Sequence, residues 1–188
     1  MSDIERPPFL PGDAAPSSNR EADVAAMIRV DHAGEYGAVR IYAGQLAVIG
    51  RGRARDDIRH MAEQESRHLA RFDALVGERG VRPTLLHPLW HVAGYALGAA
   101  TALLGERAAM ACTIAVEEVI DAHYEAQSRA LGDDEAPLRE RIDEFRAHER
   151  EHKETAEAHG GRRAGGYEAL SAAIKAGSRL AIWLSERI

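Results

Sequence analysis

Six residues in two matching sets have the types and spacing for metal chemistry. Glu35 is followed by Glu65-x-x-His68, and Glu117 by Glu149-x-x-His152. The intervals between the paired glutamates are 30 and 32 residues, and the two sets lie 82 to 84 residues apart. Glu and His three apart on a helix project from one face, so a single helix can offer a bridging carboxylate and an imidazole together. A Glu from each of two helices, joined to Glu-x-x-His from each of two others, is the ligand set of a di-iron or di-manganese four-helix bundle. Four carboxylates balance the charge of two divalent cations. Oxygen-rich, nitrogen-poor ligation suits Fe(II) or Mn(II), with positions left for O2.

The motif alone is weak. With 19 Glu and 9 His in 188 residues, chance supplies roughly one Glu-x-x-His, and there are two. Location is what discriminates. Val24, Ile28, Asp31, Glu35, Val39, Tyr42 and Leu46 share a stripe of helical period in a helix expected from about Asn19 to Ile49, capped by Ser18 or Asn19. A second helix, about Ala54 to Val76, aligns Ile58, Met61, Glu65, His68, Phe72 and Leu75. Ile114, Glu117, Asp121 and Tyr124 align in a helix from about Glu106 to Leu131. Leu138, Ile142, Phe145, Glu149, His152 and Ala156 align in one from about Pro137 to Ala158. All four glutamates therefore fall on apolar stripes, where burial without cations or protons is prohibitive. The alternative is a set of exposed or salt-bridged carboxylates. A last helix, about Tyr167 to Glu186, is apolar along Leu170, Ile174, Leu180, Trp183 and Leu184.

No period-two alternation occurs, so the expected fold is all-α: two helical hairpins with an apolar segment between them and a terminal helix. Residues 1–18 read as a disordered leader, holding four of the seven prolines and no apolar run, and 19–188 as one domain. The net charge of −6 does not indicate a nucleic-acid-binding surface, and no nucleic-acid partner is expected. The single cysteine, Cys112, rules out an internal disulfide and reads as a small buried hydrophobe. From Pro83 to Gly105 no Asp, Glu, Lys or Arg appears in 23 residues. A continuous helix there would extend about 35 Å. Pro88 and several Gly argue against a simple span, and a span would put the two hairpins on opposite sides of a membrane. An interfacial helix, or one lining an apolar channel, fits better, with Trp90 and Tyr95 suited to the boundary. The competing reading is a buried helix making dimer contacts through Gly94-x-x-x-Gly98.

Other polar residues stand near the ligand stripes. Asp31, one turn before Glu35, could accept a hydrogen bond from a ligating imidazole or be a partly solvated residue near an Arg. Tyr124 shares the Glu117 face and with His123 suits a supporting or substrate role; ordinary packing is the alternative. Glu118 is offset by about 100° from Glu117 and falls outside the ligand set. His148 and His159 read as surface or supporting residues.

The strings Arg29-Val30-Asp31-His32-Ala33-Gly34-Glu35-Tyr36-Gly37-Ala38 and Arg40-Ile41-Tyr42-Ala43-Gly44-Gln45 carry more than a spacing. So do Arg82-Pro83-Thr84, Pro88-Leu89-Trp90, Gly105, Ala111-Cys112-Thr113, Ala115-Val116-Glu117-Glu118 and the ending Tyr167 to Arg187. In these the chain resembles the demethoxyubiquinone hydroxylase family of ubiquinone biosynthesis, over about Asp23 to Ile188. The resemblance implies a ferritin-like di-iron monooxygenase with two Fe ions per chain, held by Glu35, Glu65, His68, Glu117, Glu149 and His152. It implies a polyprenyl demethoxyubiquinol substrate hydroxylated with O2, and places His123-Tyr124 near substrate and electron delivery. Phe145 matches the family's aromatic before the second Glu-x-x-His. Electrons would come from NADH without a dinucleotide fold, since no Gly-x-Gly-x-x-Gly is present. Expected partners are a membrane surface, further copies of the chain and a lipid-binding protein of the same biosynthesis. The leader lacks an organelle-targeting pattern, so the expected location is peripheral, on the cytoplasmic face of a bacterial inner membrane. The rivals are a ferritin-like iron-storage or peroxidase protein, a non-catalytic isoprenoid-lipid-binding bundle, and a quinol oxidase with a related core.

Overall fold

The computed structural model describes residues 17–188, so nearly all of the expected leader lies outside the described residues. Six α-helices follow one another: α1 Ser17–Val48, α2 Arg53–Arg79, α3 His87–Leu103, α4 Glu106–Ala130, α5 Ala136–Ala158 and α6 Tyr167–Arg187. Among the described residues there is no strand, as the absence of alternation predicts. Helix α1 begins at Ser17, one or two residues before the expected cap.

Helices α1, α2, α4 and α5 form a four-helix bundle of two antiparallel hairpins. Its stripes interlock into apolar clusters at both ends. Val24, Ile28, Phe72, Leu75, Leu131, Leu138, Ile142 and Phe145 fill one end. Ile49, Ala54, Ile58, Met61, Ala109, Met110, Ile114 and Ala156 fill the other. Glu35, Glu65, Glu117 and Glu149 lie between these clusters on their helices, so packing places the carboxylates in a middle layer between two apolar plugs.

Helix α3 starts where Pro88 can be tolerated, in the first turn, whose N–H groups have no helical partner. It packs against α1 at very short range. A Cβ on Gly98 would stand 1.9 Å from the Ile41 carbonyl oxygen, and one on Gly44 2.2 Å from that of Tyr95. The Gly94-x-x-x-Gly98 face is therefore spent inside the chain, against α1, and not on a second copy. Tyr36 stacks on His87 at 4.7 Å, and its hydroxyl lies 2.7 Å from His91 Nδ1, which fixes the start of α3. Gly105, at φ 112, turns the chain from α3 into α4.

Helix α6 lies across α4 and α1. Glu118 pairs with Arg162 at 2.9 Å and with Lys175, so it faces away from Glu117 as its offset requires. Trp90 is turned inward: its indole N–H donates to Ser185 Oγ at 3.0 Å. Outward apolar residues include Leu89, Val92, Tyr95 and Leu103 on α3 and Leu180 and Trp183 on α6, with Val92 65% and Leu180 57% exposed. No described helix is long and apolar enough to cross a membrane.

Candidate metal centre

The six predicted residues converge from four helices into one site. Glu35 comes from α1, Glu65 and His68 from α2, Glu117 from α4, and Glu149 and His152 from α5. Each is between 1% and 3% exposed. They form two overlapping quartets, Glu35, Glu65, His68 and Glu149, and Glu65, Glu117, Glu149 and His152. In each, one nitrogen or oxygen per residue lies within 4.8 Å of the other three. That span suits one cation with bonds of about 2.0–2.2 Å to imidazole and carboxylate. Glu65 and Glu149 belong to both quartets, the position of bridging carboxylates.

The polar atoms here are unsatisfied as they stand. Glu35 Oε2, Glu65 Oε1, Glu149 Oε1 and His68 Nδ1 are buried without a hydrogen-bond partner. His68 Nδ1 lies 3.2 Å from Glu149 Oε1 and 3.4 Å from Glu35 Oε2, and His152 Nδ1 lies 3.1 Å from Glu65 Oε1. Orphaned buried carboxylates cost several kcal/mol in isolation, on the order of the desolvation penalty for unpaired ions. A pair of divalent cations satisfies all of them at once, so the donor set fits such a pair.

The outer nitrogens of both imidazoles are engaged. His152 Nε2 lies 3.0 Å from Gln64 Oε1 and His68 Nε2 lies 3.0 Å from His148 Nδ1. An N–H donated on that side leaves Nδ1 as the electron-pair donor facing the carboxylates. Phe145 stacks on His68 at 4.0 Å and holds the ring plane. Two tyrosines complete the shell. Tyr42 donates to Glu117 Oε1 at 2.9 Å, and Tyr124 donates to Glu35 Oε1. Each tyrosine follows the glutamate of its own half by seven residues yet bonds the glutamate of the other half. Tyr42 and Gln64 were not predicted in these roles, whereas His148 takes the supporting one of its two readings.

Asp31 does not meet a ligating imidazole, contrary to the first expectation for it. Its Oδ1 accepts from Gln127 Nε2 at 2.8 Å and lies 3.3 Å from His123 Nε2. Both of these partners lie on α4. His159 lies outside the quartets, 2.7 Å from Asp57 Oδ2.

Burial dominates the electrostatics. It pushes Glu65 and Glu117 well above the usual carboxylate range, reinforced by Glu149 and the other acids. For Glu149 burial pushes upward too, but His152 and His68 outweigh it and hold it at about 2. His68 is lowered by burial, yet the Glu149 and Glu35 carboxylates beside it raise it to about 9. Burial also raises Asp31, against the pull of His123.

Two cavities adjoin the site. A small one of about 20 Å³ touches Glu35, Glu65, Glu117 and Glu149 and is also lined by Asp31, His123 and Tyr124. A large one of about 430 Å³ runs between α1, α3, α4 and α6 and is mostly apolar, with Ile41, Trp90, Leu97, Val116 and Leu180 in its walls.

Residues 22–185 match the family model described as ubiquinone biosynthesis protein COQ7. The 3-demethoxyubiquinol 3-hydroxylase of Rhodospirillum rubrum is 59% identical over 180 residues, covering 95% of this chain and 83% of that protein. The Homo sapiens protein named NADPH-dependent 3-demethoxyubiquinone 3-hydroxylase, mitochondrial, is 50% identical over 171 residues, covering 89% and 79%. The Saccharomyces cerevisiae 5-demethoxyubiquinone hydroxylase, mitochondrial, is 39% identical over 201 residues, covering 98% and 86%. With buried carboxylate and imidazole groups that can hold metal ions and a family match over nearly its full length, the chain belongs to the COQ7 family of ubiquinone biosynthesis proteins.

Proposed function

We propose that this protein is a demethoxyubiquinol hydroxylase: a di-iron monooxygenase that adds a hydroxyl group to the ring of a polyprenyl demethoxyubiquinol. One atom of O2 enters the ring, the other leaves as water, and two electrons balance the reaction. The observation that carries the reading is the pair of overlapping buried quartets beside a 430 Å³ apolar cavity. Glu35 with His68 would hold one iron and Glu117 with His152 the other, with Glu65 and Glu149 shared. Bound there, two irons supply redox and Lewis-acid chemistry toward O2.

The chain's own residues do the rest. The clusters at both ends of the bundle keep water from the middle layer. Tyr42 and Tyr124 orient Glu117 and Glu35, and Gln64 and His148 orient His152 and His68. His123 and Asp31 line the small cavity on its polar side, where they can hold or pass a proton to the ring oxygens. The large cavity suits an isoprenoid-bearing ring, which an iron-storage protein has no need to accommodate. Electrons come from a reduced nicotinamide, NADH in the sequence reading; the Homo sapiens relative is named NADPH-dependent.

The exposed apolar residues of α3 and α6 support a peripheral membrane location, on the cytoplasmic face of a bacterial inner membrane. There the large cavity can draw its substrate from the lipid. Mass spectrometry of quinones in cells lacking the protein tests the function. Accumulation of the demethoxy quinone, reversed by the wild-type chain and not by Glu149→Ala or His152→Ala, is expected. Full complementation by both variants with unchanged iron content would refute the ligand assignment.

A further inference from the structure

The two cavities are neighbours that do not merge. They share five lining residues: Val30, Gly34 and Ala38 of α1, Ile120 of α4 and Ile182 of α6. The 20 Å³ space against the carboxylates has room for about one water-sized molecule, whereas a benzene ring takes a cavity on the order of 150 Å³. A diatomic molecule therefore fits beside the carboxylates as the protein stands, and a six-membered ring does not. For a ring in the large cavity to reach the middle layer, the wall between the cavities has to yield.

That wall is uneven. Val30, Gly34 and Ala38 succeed one another at intervals of four and make one stripe of α1. Gly34 is its thinnest point. A Cβ placed there would have a single neighbour within 4 Å, the Cδ1 of Ile120 at 3.9 Å. The closure at this point is thus one methyl group over a bare glycine. Backbone cannot move aside, Val30 and Ala38 have little side chain to move, and Ile182 does not stand over Gly34. Ile120 is only partly buried, at the border of two apolar clusters, and swinging it off its rotamer costs about 1 kcal/mol.

We propose that Ile120, closing over Gly34, is the gate through which the quinol ring passes to the metal site, and that its bulk sets which ring substituents are accepted. Ile120 is a specificity-determining residue and makes no bond to the reacting atoms. Gly34 is a glycine because any side chain there would narrow the aperture. The proposal rests on the hydroxylase reading above.

The test uses the full-length, iron-loaded protein with a short-tailed demethoxyquinol in detergent, following ring hydroxylation, iron content and melting temperature. Gly34→Val is expected to lower kcat/KM at least about tenfold with iron content retained. The double variant Gly34→Val/Ile120→Ala is expected to recover most of that loss, a rescue that a general structural defect would not show. Ile120→Ala alone, which does not depend on Gly34→Val folding, is expected to raise kcat/KM for an ethoxy analogue of the ring relative to the methoxy substrate by about tenfold. Unchanged kcat/KM in Gly34→Val overturns the gate. So does an Ile120→Ala protein whose preference between the two rings equals that of wild type. Wild-type protein that hydroxylates neither quinol overturns the functional reading, and the gate with it.

Discussion

Loading the site with divalent cations must release protons. Metal ligands bind deprotonated. Burial and then the neighbouring acids hold Glu65 and Glu117 well above the usual carboxylate range, so a cation binding there competes with their protons. His68, raised to about 9 by Glu149 and Glu35 against the effect of burial, is a cation. Glu149, held at about 2 despite burial, is already ionised. Filling both quartets therefore strips the His68 imidazolium proton and displaces protons that the raised Glu65 and Glu117 retain. At 1.36 kcal/mol per proton and pH unit, the His68 proton alone makes the overall association constant for two ions fall about tenfold from pH 7.5 to 6.5. Anaerobic calorimetry with Mn(II), in two buffers of different ionisation enthalpy, counts the protons directly. Fewer than one released proton would refute the charge assignment. Stability gives the same answer by another route. The unfolded chain loses the Glu65 and Glu117 protons above about 4.5 while the fold keeps them, so the metal-free protein loses stability as pH rises through their folded values. The His68 contribution is present below 6.5 and lost as pH rises through about 9. Between pH 6.5 and 9 the metal-free protein should melt progressively lower, and the loaded protein should not, because its affinity for metal climbs. A metal-free melting temperature that rises across this window contradicts the reasoning.

Tyr42→Phe removes the hydrogen bond onto Glu117 but keeps the ring that fills the core beside Met61, so the fold should persist while metal affinity drops about ten- to a hundredfold, read as Mn(II) retained after dialysis. Gly98→Ala drives a Cβ to 1.9 Å from the Ile41 carbonyl and should cost about 1–3 kcal/mol or more, seen as a melting temperature lower by several degrees. Gly77→Ala, in a helix with nothing within 4 Å of the new methyl, should hold or raise it.

The six converging residues were legible because their signal is local. A carboxylate on an apolar stripe needs a partner whatever the rest of the fold does, and i, i+3 spacing names the pairing within each helix. Tyr42, Gln64 and His148 were harder because each acts on the other hairpin, and no local rule says which side chain 75, 88 or 80 residues away will face it. A trace was present all the same. Tyr42 and Tyr124 both stand seven residues after a glutamate of the set, and Gln64 and His148 both stand immediately before one. Comparing the halves by position, not by residue identity, exposes the repeat. The partner of the α3 glycines was not legible for a different reason. A small-residue face announces close approach but not the identity of the approaching helix, and here it is α1 of the same chain. Asp31 was left between two readings likewise: a shared stripe gives its depth, not its partner.

The internal repeat also shows where it breaks, and the break gives the site its direction. Four residues before the glutamates stand Asp31 in one half and Thr113 in the other; ten residues after them stand Gln45 and Gln127. Gln45 donates to the Ala109 carbonyl at 3.1 Å and lies 3.4 Å from Thr113 Oγ1, a neutral contact at 0–1% exposure that closes that side of the bundle. At the equivalent place Gln127 meets a carboxylate and an imidazole, Asp31 and His123, and Asp31 Oδ2 has no partner. A buried acid without full compensation destabilises a fold, and a threonine would remove the cost, as the other half demonstrates. The small cavity lies on the Asp31 side, lined by Asp31, His123 and Tyr124 and not by Thr113 or Gln45, and it shares its outer wall with the large one. Two nearly equivalent halves thus hold the six inward groups in place, while the inequality of a few surrounding side chains leaves one face sealed and the other opening toward the cavity that suits a quinol.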